Sequence, residues 1–160
     1  MGITGASQNS FTLDADTLLQ DADAAKTATG VGEIGGVARQ LDFGNTSPNS
    51  VEQVAYVRGQ VVIDVSAIDF TTTDEAYDIV LQLADDDSDF TAATTVVSKP
   101  LAHLGTALGT NGTAMSGTGR LVVGVDNEFQ GTLFRHARLV FVIAGTTPSI
   151  TFSAAFVRSW

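Results

Sequence analysis

The sequence predicts an all-β fold, an antiparallel two-sheet sandwich of jelly-roll-like form with an extended N-terminal arm, and three observations predict it. From Val51 onward, β-branched runs are separated by turn residues, the pattern of half-buried strands joined by tight loops. Within the strongest runs apolar and polar residues alternate with the two-residue period that turns one face inward. No run carries the spacing of a long amphipathic helix.

Residues 1–50 read as the arm. Small and polar residues dominate there, and Phe11, Leu13, Leu18, Leu19, Ile34, Leu41 and Phe43 are too thinly spread to form a core of their own. Leu18 and Leu19, set among Asp14, Asp16, Asp21 and Asp23, leave room for a helical turn or two, which Thr27, Thr29 and Gly30 end, and mainly extended chain is expected there. Arg39–Phe43 adds one strand from the arm.

Residues 51–160 read as the jelly-roll body. Val61, Ile63 and Val65 alternate with Val62 and Asp64, and Tyr77, Ile79, Leu81 and Leu83 alternate with Asp78, Val80 and Gln82. Leu139, Phe141 and Ile143 form a third alternating run, and Ile150, Phe152, Ala154 and Phe156 a fourth. These last two flank Gly145-Thr146-Thr147-Pro148 and read as a hairpin. Glu52–Val57, Thr94–Ser98 and Arg120–Val125 supply weaker strands, for a total of about eight, as a two-sheet jelly roll needs. Thr106–Thr118, rich in Gly, Thr and Ser, reads as a long surface loop and a contact site.

Composition narrows the function. The 160 residues make one domain, and 44% hydrophobic against 16% charged residues is the composition of a chain that folds. Eight basic against 18 acidic residues give a net charge of -10, so polyanions are repelled and nucleic acid is not expected as a direct partner. Without cysteine there are no disulfides or thiolate metal sites. No apolar run reaches membrane-spanning length, and the N-terminus lacks the basic and apolar segments of an export signal. Ala6 stands where a myristoylation signal needs Ser or Thr.

Residues that suggest chemistry fail on context. Gly30-Val31-Gly32-Glu33-Ile34-Gly35 spells G-x-G-x-x-G with Glu52 downstream, but the segment before it is polar and no helix start follows. A dinucleotide's phosphates need that helix N-terminus, so the segment reads as a hinge. Asp85-Asp86-Asp87-Ser88-Asp89 resembles the start of a calcium loop, yet Phe90 and Val96 occupy the sixth and twelfth places, and it reads as a solvated turn. His103 and His136 are the only histidines, with neither a nucleophile elbow nor zinc-ligand spacing. The expectation is a protein that is not an enzyme, with no catalytic, cofactor-binding or metal-binding residues.

Charge is lopsided. Arg120, Arg135, Arg138 and Arg158 lie in the C-terminal part while acids crowd residues 14–89, which reads either as head-to-tail contact between an acidic arm and a more basic body of a neighbouring copy or as ordinary surface charge. Phe11, Leu13, Leu18 and Leu19 are candidate anchors in a neighbour's groove, and Arg135 and Arg138 candidate interface charges.

Several segments share their order with a known family. They are Leu13–Ala24, Leu41-Asp42-Phe43-Gly44, Tyr77–Gln82 leading to Asp86–Phe90, Leu121–Val125, Phe134–Leu139 and Gly145 before the final strand. In that order the chain resembles the Bbp16-like capsid cement, or decoration, proteins of tailed bacteriophages. The chain departs from that pattern in a longer N-terminal lead and in the 106–118 insertion. The resemblance implies a protein made in the host bacterial cytoplasm that sits on the outer surface of an icosahedral capsid. Its partners would be the major capsid protein, whose neighbouring subunits it clamps, and other copies of itself as dimers or trimers at symmetry axes. The alternative is a carbohydrate- or receptor-binding β-sandwich of a phage tail, although most of the nine Phe alternate into expected core faces and the sole Trp is Trp160.

Overall fold

The computed structural model describes residues 17–44, 54–72, 74–85, 90, 93, 95–105, 117–158 and the backbone of 113–115. In chain order the strands are β1 (Leu18–Gln20), β2 (Gly30–Val31), β3 (Glu33–Ile34), β4 (Val37–Ala38), β5 (Leu41–Asp42), β6 (Arg58–Ile68) and β7 (Ala76–Ala84). They continue with β8 (Val96–Gly105), β9 (Thr113–Met115), β10 (Gly119–Asp126), β11 (Glu128–Phe129), β12 (Thr132–Leu133), β13 (His136–Ala144) and β14 (Ile150–Arg158). Among the described residues there is no helix longer than a single turn.

Two main sheets carry the fold. One runs β1-β14-β6-β10; the other runs β2-β13-β7-β8-β9, with β5 sharing the β2 edge of β13. All pairings are antiparallel except β8 with β9, which is parallel. Two small hairpins, β3-β4 and β11-β12, stand apart. The four alternating runs became the four central strands, because a strand covered on both edges and buried on one face gains most from strict alternation.

Their inward side chains fill the space between the sheets. Val61, Ile63 and Val65 of β6 and Ile150, Phe152 and Phe156 of β14 meet Tyr77, Ile79, Leu81 and Leu83 of β7 and Leu139 and Phe141 of β13. The rings of Phe141 and Phe152 meet edge-on across the gap at 5.8 Å. Each such side chain stabilises the fold by about 1.5–3 kcal/mol on full burial. Polar groups close the ends. Tyr77 donates its hydroxyl to the Asp69 carbonyl at 2.7 Å and accepts from Ser149 N–H at 2.9 Å. Buried Asn127 accepts from Val57 N–H and donates to the carbonyls of Ala55 and Phe134, fastening the entry to β6 against the exit from β10.

Several expectations are corrected. The strands before and after Gly145 are not a hairpin: β13 and β14 lie in different sheets, and 145–149 carries the chain across. Alternation states which face is inward, not which sheet receives the strand. The division at residue 50 into arm and body does not hold for residues 17–44, which supply β1 to one sheet, β2 and β5 to the other, and Leu19, Leu41 and Phe43 to the core; residues 1–16 and 45–50 lie outside the described residues. Leu18 and Leu19 lie in strand β1, in keeping with the mainly extended chain expected there.

The glycine-rich segment is not a hinge. Gly30 and Gly32 sit where a Cβ would strike Phe141 and the Leu19 carbonyl, and Gly35-Gly36, both at positive φ, turn β3 into β4. Of the expected strand 52–57, Val54 makes only an isolated bridge to Gly44, and 51–53 lie outside the described residues. The expected 94–98 strand extends instead to Gly105, past Pro100, with Leu101 as the extra residue of a bulge. Within the expected loop 106–118, Thr113–Met115 pairs with Ala102–Leu104.

Candidate interaction surface

Of the residues expected to touch partners, Phe11 and Leu13 lie outside the described residues. Leu19 is fully buried in this chain's own core, so it is not available to a neighbour's groove. Leu18 is half-buried opposite Ala155 of β14. Arg135 and Arg138 also have partners at home. Arg135 grips Asp42 with two parallel hydrogen bonds, 2.9 and 3.0 Å. That bond, helped by the Gly44 N–H at 2.7 Å, holds the Asp42 carboxyl below the usual carboxylate range against the opposing cost of burial. Arg138 donates to the Gln82 side chain and lies over the Phe90 ring at 4.3 Å.

Beside the Asp42–Arg135 pair opens a cleft of about 420 Å³ lined by Thr17, Arg39, Asp42, Phe43, Phe156 and Arg158, among others. It brings together two arginines from opposite ends of the chain because β5 and β14 finish at the same corner of the sandwich. Sequence reasoning missed Arg39, since nothing local to it signals the long-range meeting with Arg158.

His103 Nδ1 and Asp78 Oδ1 are 2.5 Å apart as a cross-strand pair on the outer face of the β7-β8 sheet. His136 is buried. Asp69 and Asp74 are held below the usual carboxylate range by hydrogen bonds from Thr71, and from Thr72 and Thr146, which shape the β6–β7 connection. Among the described residues no group of three or more His, Asp or Glu is placed to hold a metal ion, and Asp86–Asp89 lie outside them.

The outward surface shows apolar groups that the sequence did not single out. Val122 of β10 is 52% exposed, and Tyr56 and Phe129, on the two segments that Asn127 joins, are 53% and 39% exposed. β10 pairs with β6 over its whole length without a bulge, and its other edge carries no partner strand among the described residues. The six-stranded sheet ends instead in the short β9 laid along Ala102–Leu104. No protein-family model, curated protein or solved structure matches the chain.

Proposed function

We propose that this chain is a structural protein that binds other proteins: a capsid cement protein of a tailed bacteriophage, set on the outside of an icosahedral head, where it clamps neighbouring major capsid subunits. The observation that carries the reading is the strand order. With β2 and β5 taken as one edge and β9 and the two small hairpins set aside, the eight remaining strands run 1-8-3-6 in one sheet and 2-7-4-5 in the other. That interleaving supports the jelly-roll reading, an architecture of two Greek keys recurrent in virus capsid and lectin domains. The edge of β10, which has no partner strand among the described residues, and the acidic composition that disfavours contact with packaged DNA support an assembly role.

The test is to add purified protein to undecorated heads and measure occupancy and heat-triggered DNA release, with copy counting by mass spectrometry of virions. Copy numbers comparable to the major capsid protein and raised heat resistance are expected; a handful of copies per particle would overturn the reading. Exposed Tyr56 and Phe129, held at one end by Asn127, favour a second reading, a carbohydrate- or receptor-binding tail module. Glycan binding lost in Tyr56→Ala, together with low copy number, would select it.

A further inference from the structure

We infer that two copies of this chain join through β10, edge to edge and antiparallel, about a twofold axis at Val123, so that the β1-β14-β6-β10 sheet continues into its mate. The inference is independent of whether the chain binds a shell.

β10 is an edge of the kind proteins normally blunt. It is eight residues long, keeps regular register with β6, and contains no proline or lysine. Its side chains fall into two sets by the two-residue period. Arg120, Val122, Gly124 and Asp126 share the outer face, while Leu121, Val123 and Val125 face the core, where Leu121 and Val123 are only partly covered. A further strand along this edge would cover them.

What selects a second copy as that strand is the self-complementarity of the segment. In an antiparallel pair, directly opposed residues lie on the same face. With the axis at Val123, Arg120 of each copy faces Asp126 of the other, and exposed Val122 faces Gly124. Space around Gly124 is open, since a Cβ placed there would meet nothing within 4 Å. On the inner face Leu121 meets Val125 and Val123 meets itself. Shifting the axis to Val122 sets Arg120 against Gly124 and separates the opposite charges.

Long-range charge agrees. The chain as a whole carries -10, which repels a like copy. Around this edge, however, Arg58, Lys99 and Arg120 stand against Asp64, Asp126 and Glu128, and they are interlocked. Arg120 makes two 2.7 Å bonds to Asp64, Lys99 binds Asp126 and the Glu128 carbonyl, and Arg58 is opposite Asp126 in register. The edge is therefore a locally neutral approach in an acidic molecule.

The absence of native cysteine makes register directly readable. The full-length chain should sediment at twice the chain mass in a concentration-dependent way. Val123→Cys should form a disulfide-linked dimer on mild oxidation. Val122→Cys alone and Gly124→Cys alone should cross-link poorly, but an equal mixture of the two should yield the mixed dimer, about tenfold above either alone if opposed residues lie within disulfide reach. Should Val123→Cys fail to fold, the mixture at the two exposed positions decides. A chain that stays monomeric, forms another oligomer without these cross-links, or links best through Val122→Cys alone would overturn the inference.

Discussion

At the scale of single residues, glycine and aspartate positions do most to fix local structure. A Cβ on Gly32 would lie 2.2 Å from the Leu19 carbonyl oxygen and 3.1 Å from the Leu139 Cβ, and neither is the far end of a flexible side chain that could move aside. Gly32→Ala is expected to destabilise the fold by about 3 kcal/mol, the upper range for overpacking. Gly35→Ala meets open space and suffers only its left-handed φ of 57°, so about 1 kcal/mol is expected. Urea unfolding of the two variants separates the effects. The letters of the glycine motif were plain in the sequence, but the reason for them was not, because the carbonyl that Gly32 touches belongs to a strand folded back from earlier in the chain. Charge acts at the same scale. Asp42, Asp64 and Asp126 are each lowered below 3.8, chiefly by hydrogen bonds from Arg135, Arg120 and Lys99. A lowered carboxylate binds fewer protons folded than unfolded, so its contribution is fully present above pH 3.8 and is lost as pH falls through the folded-state value. Arg135→Gln should therefore lose stability at neutral pH, by no more than about 1 kcal/mol for so exposed a pair, and should flatten the acid limb of stability against pH.

Among the elements, β1 shows why the arm and the body could not be told apart from sequence. Three residues cannot display a period, and its two leucines stand among aspartates. Only the edge of β14, and the core into which Leu19 packs, make a strand of them. Leu19→Ala should cost about 2–5 kcal/mol in the isolated protein, as for other buried leucines, whereas an anchor reaching only into a neighbour would leave isolated stability unchanged. Removal of residues 1–16 takes away no described strand and should preserve the β circular-dichroism spectrum; removal of 1–30, which takes β1 and half of β2, should abolish the cooperative transition. The most legible strands, β6, β7, β13 and β14, are those with long alternation, while β10, the start of β8 and β5 within 39–43 were legible more weakly. The rest are two or three residues long or, like β8 beyond Ser98, interrupted by a bulge and a proline. At the candidate surface the edge was invisible for another reason: Arg120–Val125 reads as a strand, but only the sheet order reveals that one side has no partner strand among the described residues.

For the whole molecule, stability rests on one apolar layer between two sheets, without covalent ties, and on a charge excess that grows costly when copies are crowded at low salt. Thermal unfolding is accordingly expected to shift upward as ionic strength rises to physiological values, a shift readable by near-ultraviolet circular dichroism; no upward shift would mean that local ion pairs outweigh the net repulsion. The strand order also has a bearing on biosynthesis. β14 lies between β1 and β6, yet the ribosome makes it after every other strand of the sandwich. Until it emerges, β6 and β10 can pair, but the slot between β1 and β6 stays vacant and the apolar faces of β7 and β13 lack their cover. Folding must then wait for the last strand and close in one late, long-range step, which places this chain among slow folders and exposes its nascent form to chaperones. Translation stalled before Ile150 should leave a protease-sensitive, aggregation-prone chain, and a stall beyond Arg158, once the strand has cleared the exit tunnel, a resistant one.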